Sequence, residues 1–141
     1  MNEAKVRLVC EPKPQYEAVT SPSKAVKMVR ELIGDLPNEN CVVVNFNTAN
    51  VPINYSIIAK GSDSKAEVSI KSVMQTSILS NANAIMLFHN HPSGNLQASP
   101  SDYTLTETLK KACEIMGISF LDHIILSPYE DYYSFKENGV L

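Results

Sequence analysis

Residues 84–102 read AIMLFHNHPSGNLQASPSD, and this stretch combines a strand, a turn and the start of a helix. Ala84–His89 is short and apolar, which is typical of a buried strand. Pro92 and Gly94 then turn the chain away from the sheet. Ser99-Pro100-Ser101-Asp102 places a serine at a helix N-cap, a proline at the first helical position and an acid at the third. The stretch therefore predicts one strand–turn–helix unit.

Three helices follow from apolar residues at helical spacing. The helix after Ser99 buries Leu105, Leu109, Ala112, Cys113 and Met116, with Gly117 as its end. A second helix, over residues 69–80, buries Ile70, Val73, Met74 and Ile78. The first helix has Ser21 as N-cap, Pro22 at its first position, an apolar face of Ala25, Met28, Val29 and Leu32, and Gly34 as C-cap.

Strands alternate with these helices. Apolar and β-branched runs predict them at Val6–Cys10 (an edge strand), Cys41–Phe46, Tyr55–Ala59, Ala84–His89, Ile118–Leu126 and the YYSF of residues 132–135. Residues 61–65, GSDSK, are expected to form a turn. The order predicts an α/β fold with a mixed β-sheet flanked by helices. Residues 21–141 form the single domain, and residues 1–20 hold the first strand and a proline-containing segment.

Composition excludes several classes of protein. The chain has 141 residues, 44% of them apolar and 19% charged, and a formal net charge of −3. That is the size of one soluble domain, with no apolar run long enough to span a membrane and no basic excess for nucleic acid. Cys10, Cys41 and Cys113 are odd in number and widely spaced, so neither a disulfide framework nor a paired-cysteine metal site is expected. We expect a reduced, cytoplasmic protein.

His89 and His91 carry the strongest chemical signal. Side chains two residues apart in a strand project from the same face, so both imidazoles could bind one Zn²⁺ at about 2.0–2.1 Å each. Asp102 follows His91 by eleven residues, in the first turn of a helix, and could supply a third ligand. Two histidines, one aspartate and an open position describe a catalytic zinc. The alternative is that Ser99–Asp102 is a helix cap and that the histidines belong to a surface turn.

The same residues resemble a known motif. His89, His91, Ser99 and Asp102 fit the H-x-H-x7-S-x2-D signature of JAMM (MPN-plus) metallopeptidases, and the sequence around them is similar to the RadC family. LDHIILSP and YYSFKENG extend the resemblance, which covers residues 24–141. It implies a JAMM/MPN (cytidine-deaminase-like) fold with zinc held by His89, His91 and Asp102. It also implies that Ser99 stabilises the oxyanion.

The resemblance further implies an upstream glutamate that deprotonates the attacking water and protonates the leaving amine. The pattern places this glutamate at the start of the first core strand, where Glu39 fits, two residues before Cys41; Glu67, before the second helix, is its rival. The sequence departs from the family at Ala98, where a proline often precedes the motif serine. No helix-hairpin-helix region, which longer RadC proteins carry, is expected before the first helix.

The leading functional hypothesis is a zinc-dependent hydrolase of a peptide or isopeptide bond in a protein or peptide substrate. The alternatives are a DNA-associated accessory factor of RadC type and a non-catalytic MPN interaction module. Neither a membrane nor, for this chain alone, nucleic acid is an expected partner, and self-association is left open.

Three further features favour structural roles. Asp122 and His123 are neighbours in a strand and face opposite ways, so at most one faces the site. His123 could orient a ligand histidine, but a structural strand residue is the favoured interpretation. Cys41 is expected in the core rather than as a nucleophile. Three tyrosines, at positions 129, 132 and 133, are expected to pack near the terminus rather than to stack on a substrate.

Overall fold

A computed structural model describes residues 1–9, 16–33, 37–60 and 68–141 of the chain. In these ranges the helices and strands run in the predicted order. They are α1 (Pro22–Ile33), β1 (Asn40–Phe46), β2 (Pro52–Lys60), α2 (Ile70–Leu79), β3 (Ala84–Asn90), α3 (Pro100–Met116), β4 (Ser119–Leu126) and β5 (Tyr132–Ser134).

The strands form one mixed sheet in the order β2-β1-β3-β4-β5. β1 is antiparallel to β2 and β3, β3 is parallel to β4, and β4 is antiparallel to β5. The parallel pair requires a crossover, which α3 provides. The predicted α/β class, with a mixed sheet and flanking helices, is therefore confirmed.

Alternation along the strands separates two apolar layers. Val42, Val44, Phe46, Met86 and Phe88 face α1. Cys41, Val43, Ile85 and Leu87 face the opposite way and pack with α2 and α3 through Val73, Leu109 and Cys113. His89 has the same parity as Ile85 and Leu87, and Glu39 has the same parity as Cys41. Both side chains therefore belong to the α2/α3 side, at the end of β3 and the beginning of β1.

The predicted strand at Val6–Cys10 is wrong for Val6–Val9, the part of it that the structure describes. Val6–Val9 have no regular secondary structure and are exposed, because they pair with neither edge of the described sheet. Cys10 lies outside the described residues. So do the two prolines of residues 11–15, the predicted cap Gly34 and the turn at residues 61–65.

Two predicted core positions on the helices are also wrong. Ile78 is 51% exposed, whereas Ser77 is buried and donates its hydroxyl hydrogen to the carbonyl of Val73. The hydroxyl is satisfied inside the helix, so a polar residue can occupy the buried face. Met116 is 47% exposed because the helix ends at Gly117, whose φ of 69° is left-handed, and Ile118 packs into the core instead.

None of the helices in the described ranges is both long enough and apolar enough to cross a membrane.

Candidate metal centre

The predicted site residues meet at one end of the sheet. Glu39 precedes β1, His89 ends the buried part of β3, and the antiparallel register pairs Cys41 with His89. Asp102 reaches the same point from the first turn of α3. A cavity of about 310 Å³ opens here, lined by Glu39, His91, Pro92, Ser93, Asn95, Gln97, Ser99 and Asp102. Glu67, the rival to Glu39, lies outside the described residues.

Four potential ligands face one another at short range. Nε2 of His89 contacts Oε1 of Glu39. Nδ1 of His89 lies 3.4 Å from Oδ1 of Asp102, and Nε2 of His91 lies 3.7 Å from Oδ2 of Asp102. His89 and Asp102 are both buried. Two imidazoles and two carboxylates therefore share one partly enclosed corner of the molecule.

This donor set fits a metal ion. Ligand atoms bound tetrahedrally to zinc at about 2.0–2.1 Å lie roughly 3.3–3.4 Å apart, which matches the 3.4 Å between Nδ1 of His89 and Oδ1 of Asp102. His91 donates its Nδ1–H to the carbonyl of Asn95 at 2.6 Å, which leaves the Nε2 lone pair facing the site. Nδ1 of His89 is buried without a hydrogen-bond partner among the described residues. A buried nitrogen without a hydrogen-bond partner suits the coordination of a metal ion.

The grouping differs in one respect from the predicted set of His89, His91 and Asp102. One ligand atom each from Glu39, His89 and His91 lies within 4.8 Å of the others. Asp102 approaches both histidines, but Glu39 is part of the closest group. A general base next to the reaction centre would occupy such a position, and the individual roles of the residues stay predictions.

Ser99 and Asp102 form a reciprocal helix cap as well as lining the cavity. The backbone N–H of Asp102 donates to the Ser99 hydroxyl oxygen at 3.1 Å, and that of Ser99 donates to Oδ2 of Asp102 at 2.7 Å. Burial on its own would raise the pKa of Asp102. The Ser99 hydrogen bonds and the charges of His89 and His91 outweigh burial and lower this pKa. Asp102 is thus ionised at neutral pH, and capping and metal binding are compatible.

Asn90 was not identified from the sequence, although it lies between the two histidines. Its side-chain oxygen accepts the backbone N–H of Asn40 at 2.6 Å, and its amide donates to the carbonyl of Asn38 at 2.9 Å. These bonds hold the backbone on either side of Glu39. No sequence pattern predicts these bonds, because they join the end of β3 to the start of β1, and only the register of the sheet brings the two together.

His123 is buried next to the site without reaching the cavity. Its ring stacks on Phe135 with centroids 4.4 Å apart, and its Nδ1 lies 2.7 Å from the Thr106 hydroxyl. Burial and the neighbouring His89 lower the pKa of His123 to about 3, so the ring is neutral. Thr106 is a second residue that the sequence did not reveal.

The contacts of Asp122 and the burial of Cys41 favour structural roles for both residues. The carboxylate of Asp122 accepts the backbone N–H groups of His123 at 2.8 Å and Lys136 at 3.0 Å, which joins β4 to the turn that follows β5. Cys41 is fully buried, and burial raises the pKa of its thiol far above the ordinary value. A buried neutral thiol cannot serve as the alternative nucleophile.

The predicted tyrosine packing is confirmed in part. Tyr133 packs edge-on against Phe135, and Tyr132 lies against the apolar layer under α1. Tyr129 instead is 72% exposed, and its ring lies against Gly94 in the loop that follows His91. One of the three tyrosines therefore borders the site loop rather than the terminus.

Comparisons with known proteins identify the family of the chain. Residues 19–140 match the RadC-like JAB domain. UPF0758 proteins from Streptococcus pyogenes serotype M49 (strain NZ131) and serotype M1 are each 33% identical over 141 residues, which is 100% of this chain and 62% of theirs. A UPF0758 protein from serotype M6 is 38% identical over 123 residues, 87% of this chain and 54% of that protein. The chain thus spans less than two thirds of these relatives, and it belongs to the RadC-like JAB domain family.

Proposed function

We propose that the chain is a zinc-dependent hydrolase of the JAMM type that cleaves a peptide or isopeptide bond through an activated water. One observation carries the proposal: Glu39, His89, His91 and Asp102 converge at a cavity that Ser99 also lines. The four residues come from three separate segments of the chain. Two imidazoles and two carboxylates gathered in a partly buried place are typical of a functional site rather than of a purely structural sheet end.

The proposed division of labour follows from where each group lies. His89, His91 and Asp102 would hold the ion, with Asp102 ionised and His91 fixed by Asn95. When bound, zinc would lower the pKa of a water toward about 7 and polarise the scissile carbonyl. Glu39 accepts a proton from the attacking water as its oxygen bonds to the carbonyl carbon, and gives that proton to the amine as the C–N bond breaks. The Ser99 hydroxyl donates to the developing oxyanion.

The substrate in this proposal is a protein or peptide that presents an amide bond to the open side of the cavity. We place the reaction in the cytoplasm, and the free thiols of Cys41 and Cys113 support a reducing setting. A role on DNA has less support, since the chain carries a formal net charge of −3.

Zinc content and turnover test the proposal together. Protein purified without added metal should contain about one zinc per chain by elemental analysis, and His91→Ala should lose most of it. On a panel of peptide and isopeptide substrates, Glu39→Gln should keep the zinc and lower the rate by about 10²–10⁴-fold.

Wild-type protein that stays free of zinc after reconstitution would reject the proposal and favour a non-catalytic module. Zinc binding without turnover by either protein would reject the hydrolase while leaving the metal centre in place.

A further inference from the structure

A buried polar contact connects β4 to the helix that carries Asp102. Nδ1 of His123 lies 2.7 Å from the hydroxyl oxygen of Thr106, and that hydroxyl donates its hydrogen to the carbonyl of Asp102 at 2.7 Å. All three residues are buried. One hydroxyl therefore links the imidazole of β4 to the backbone of a proposed metal ligand.

The direction of these hydrogen bonds is fixed by counting hydrogens. The single hydroxyl hydrogen of Thr106 goes to Asp102, so its oxygen accepts from His123. The neutral imidazole must then carry its hydrogen on Nδ1. Nε2, the other ring nitrogen, is buried without a partner among the described residues. Burying Nε2 without a partner costs free energy, and an apolar side chain at position 123 would avoid that cost. The hydrogen bond made by Nδ1 is therefore the feature of His123 that needs an explanation.

The ring of His123 also neighbours the ring of His89, a second proposed ligand of the metal centre. It lies between Phe135, with centroids 4.4 Å apart, and His89, with centroids 6.1 Å apart and planes 24° from parallel. His123 thus neighbours the ring of one proposed ligand and reaches the backbone of another through Thr106.

We propose that His123 and Thr106 are positioning residues that set the distance between Asp102 and His89 in the metal centre. This inference rests on the proposed function, because it assigns the pair to the same metal site. The cap formed by Ser99 orients the carboxylate of Asp102, whereas the Thr106–His123 contact fixes the helical turn that carries it. Loss of the contact should loosen the site without removing a ligand.

Two neighbouring threonines provide matched controls. Thr104 and Thr108 donate to the carbonyls four residues earlier, Pro100 at 3.1 Å and Thr104 at 2.8 Å, as Thr106 does. Both are exposed on the opposite side of α3. A threonine-to-valine change at any of the three removes the same kind of bond, but only the change at Thr106 removes the contact with His123.

The experiment is a Co²⁺ titration of the full chain, followed by its visible absorption and checked by competition with Zn²⁺. Thr106→Val should weaken Co²⁺ binding by about 10–100-fold, the usual effect of losing a partner that orients a ligand, and should alter the ligand-field bands. Thr104→Val and Thr108→Val should bind as wild type does. Thr106→Ser, which keeps the hydroxyl, should restore wild-type affinity and bands.

Circular dichroism of the metal-free proteins is the check that each variant is folded at the titration temperature. If Thr106→Val fails this check, Thr106→Ser and His123→Phe decide: the serine variant must bind as wild type, and the phenylalanine variant, which keeps a planar ring but has no donor for Thr106, must bind more weakly. Equal affinities for wild type and Thr106→Val, or equal losses in all three valine variants, would overturn the inference and leave the metal centre intact. A wild type that does not bind Co²⁺ would overturn the proposed function itself.

Discussion

At the scale of single residues, Asp102 combines two roles that the sequence presents as alternatives. Its Oδ2 accepts the Ser99 N–H at 2.7 Å, while Oδ1 faces Nδ1 of His89 at 3.4 Å. Because a carboxylate has two oxygens, one can cap the helix while the other faces the cavity. The helix cap therefore presets the orientation of the proposed ligand.

This arrangement predicts a pH-dependent contribution to stability. The folded pKa of Asp102 lies below the unfolded value of about 3.9. The ionised carboxylate therefore stabilises the metal-free fold above that value, and the contribution is lost as the pH falls through the folded pKa. Asp102→Asn should lower the melting temperature at pH 7, and the difference from wild type should shrink below pH 4. Thermal melts across this range measure it, with the exposed Glu107→Gln as control. A difference that does not change with pH would contradict the expectation.

At the scale of elements, the end of β3 and the beginning of β1 are joined by a side chain rather than by the sheet ladder. Asn90 accepts from the N–H of Asn40 and donates to the carbonyl of Asn38, so its amide continues the pairing where the strands separate. Glu39 lies between the two bonded residues. The backbone at Glu39 is thereby fixed relative to His89.

Removing this amide should open the start of β1. Asn90→Ala should speed hydrogen exchange of the Asn40 N–H and reduce the free energy of unfolding by about 1 kcal/mol. Asn90→Asp keeps the acceptor but cannot donate to Asn38, so the Asn40 N–H should stay protected while the Asn38 contact is lost. Amide exchange followed by NMR separates the two variants. Unchanged exchange at Asn40 in Asn90→Ala would show that the ladder, and not Asn90, protects it.

The elements themselves could be predicted because each has a local signal. Ser99, Pro100 and Asp102 fix the beginning of α3, and Gly117 fixes its end with a left-handed φ. The contacts that complete the site have no local signal. Thr106 and His123 lie on different elements, and their approach depends on the crossover that sets β4 beside β3. The edge strand at Val6–Val9 failed for a related reason, since an apolar run becomes a strand only where a sheet edge accepts it.

At the scale of the whole molecule, the candidate site joins segments that are far apart in sequence. Glu39 comes from the chain before β1, His89 and His91 from the end of β3, and Asp102 from α3. An ion bound by these groups would connect the start of β1 and the end of β3, which lie at the same end of the sheet, to the crossover helix. Because the unfolded chain does not hold the ligands together, metal binding should appear as folding stability.

Zinc should therefore raise the melting temperature of the whole domain. At a free concentration of 1,000 times Kd the stabilisation is about 4.1 kcal/mol, which for a domain of this size corresponds to roughly 14 °C. Calorimetry with zinc and after chelation measures the shift. His91→Ala should melt at nearly the same temperature under both conditions, because it lacks a proposed ligand.

Glu39→Gln should keep the shift if Glu39 is a base, and should lose much of it if Glu39 is a permanent ligand, as its place in the closest group of side chains would allow. The same melts thus separate the two roles open to Glu39 without requiring a substrate.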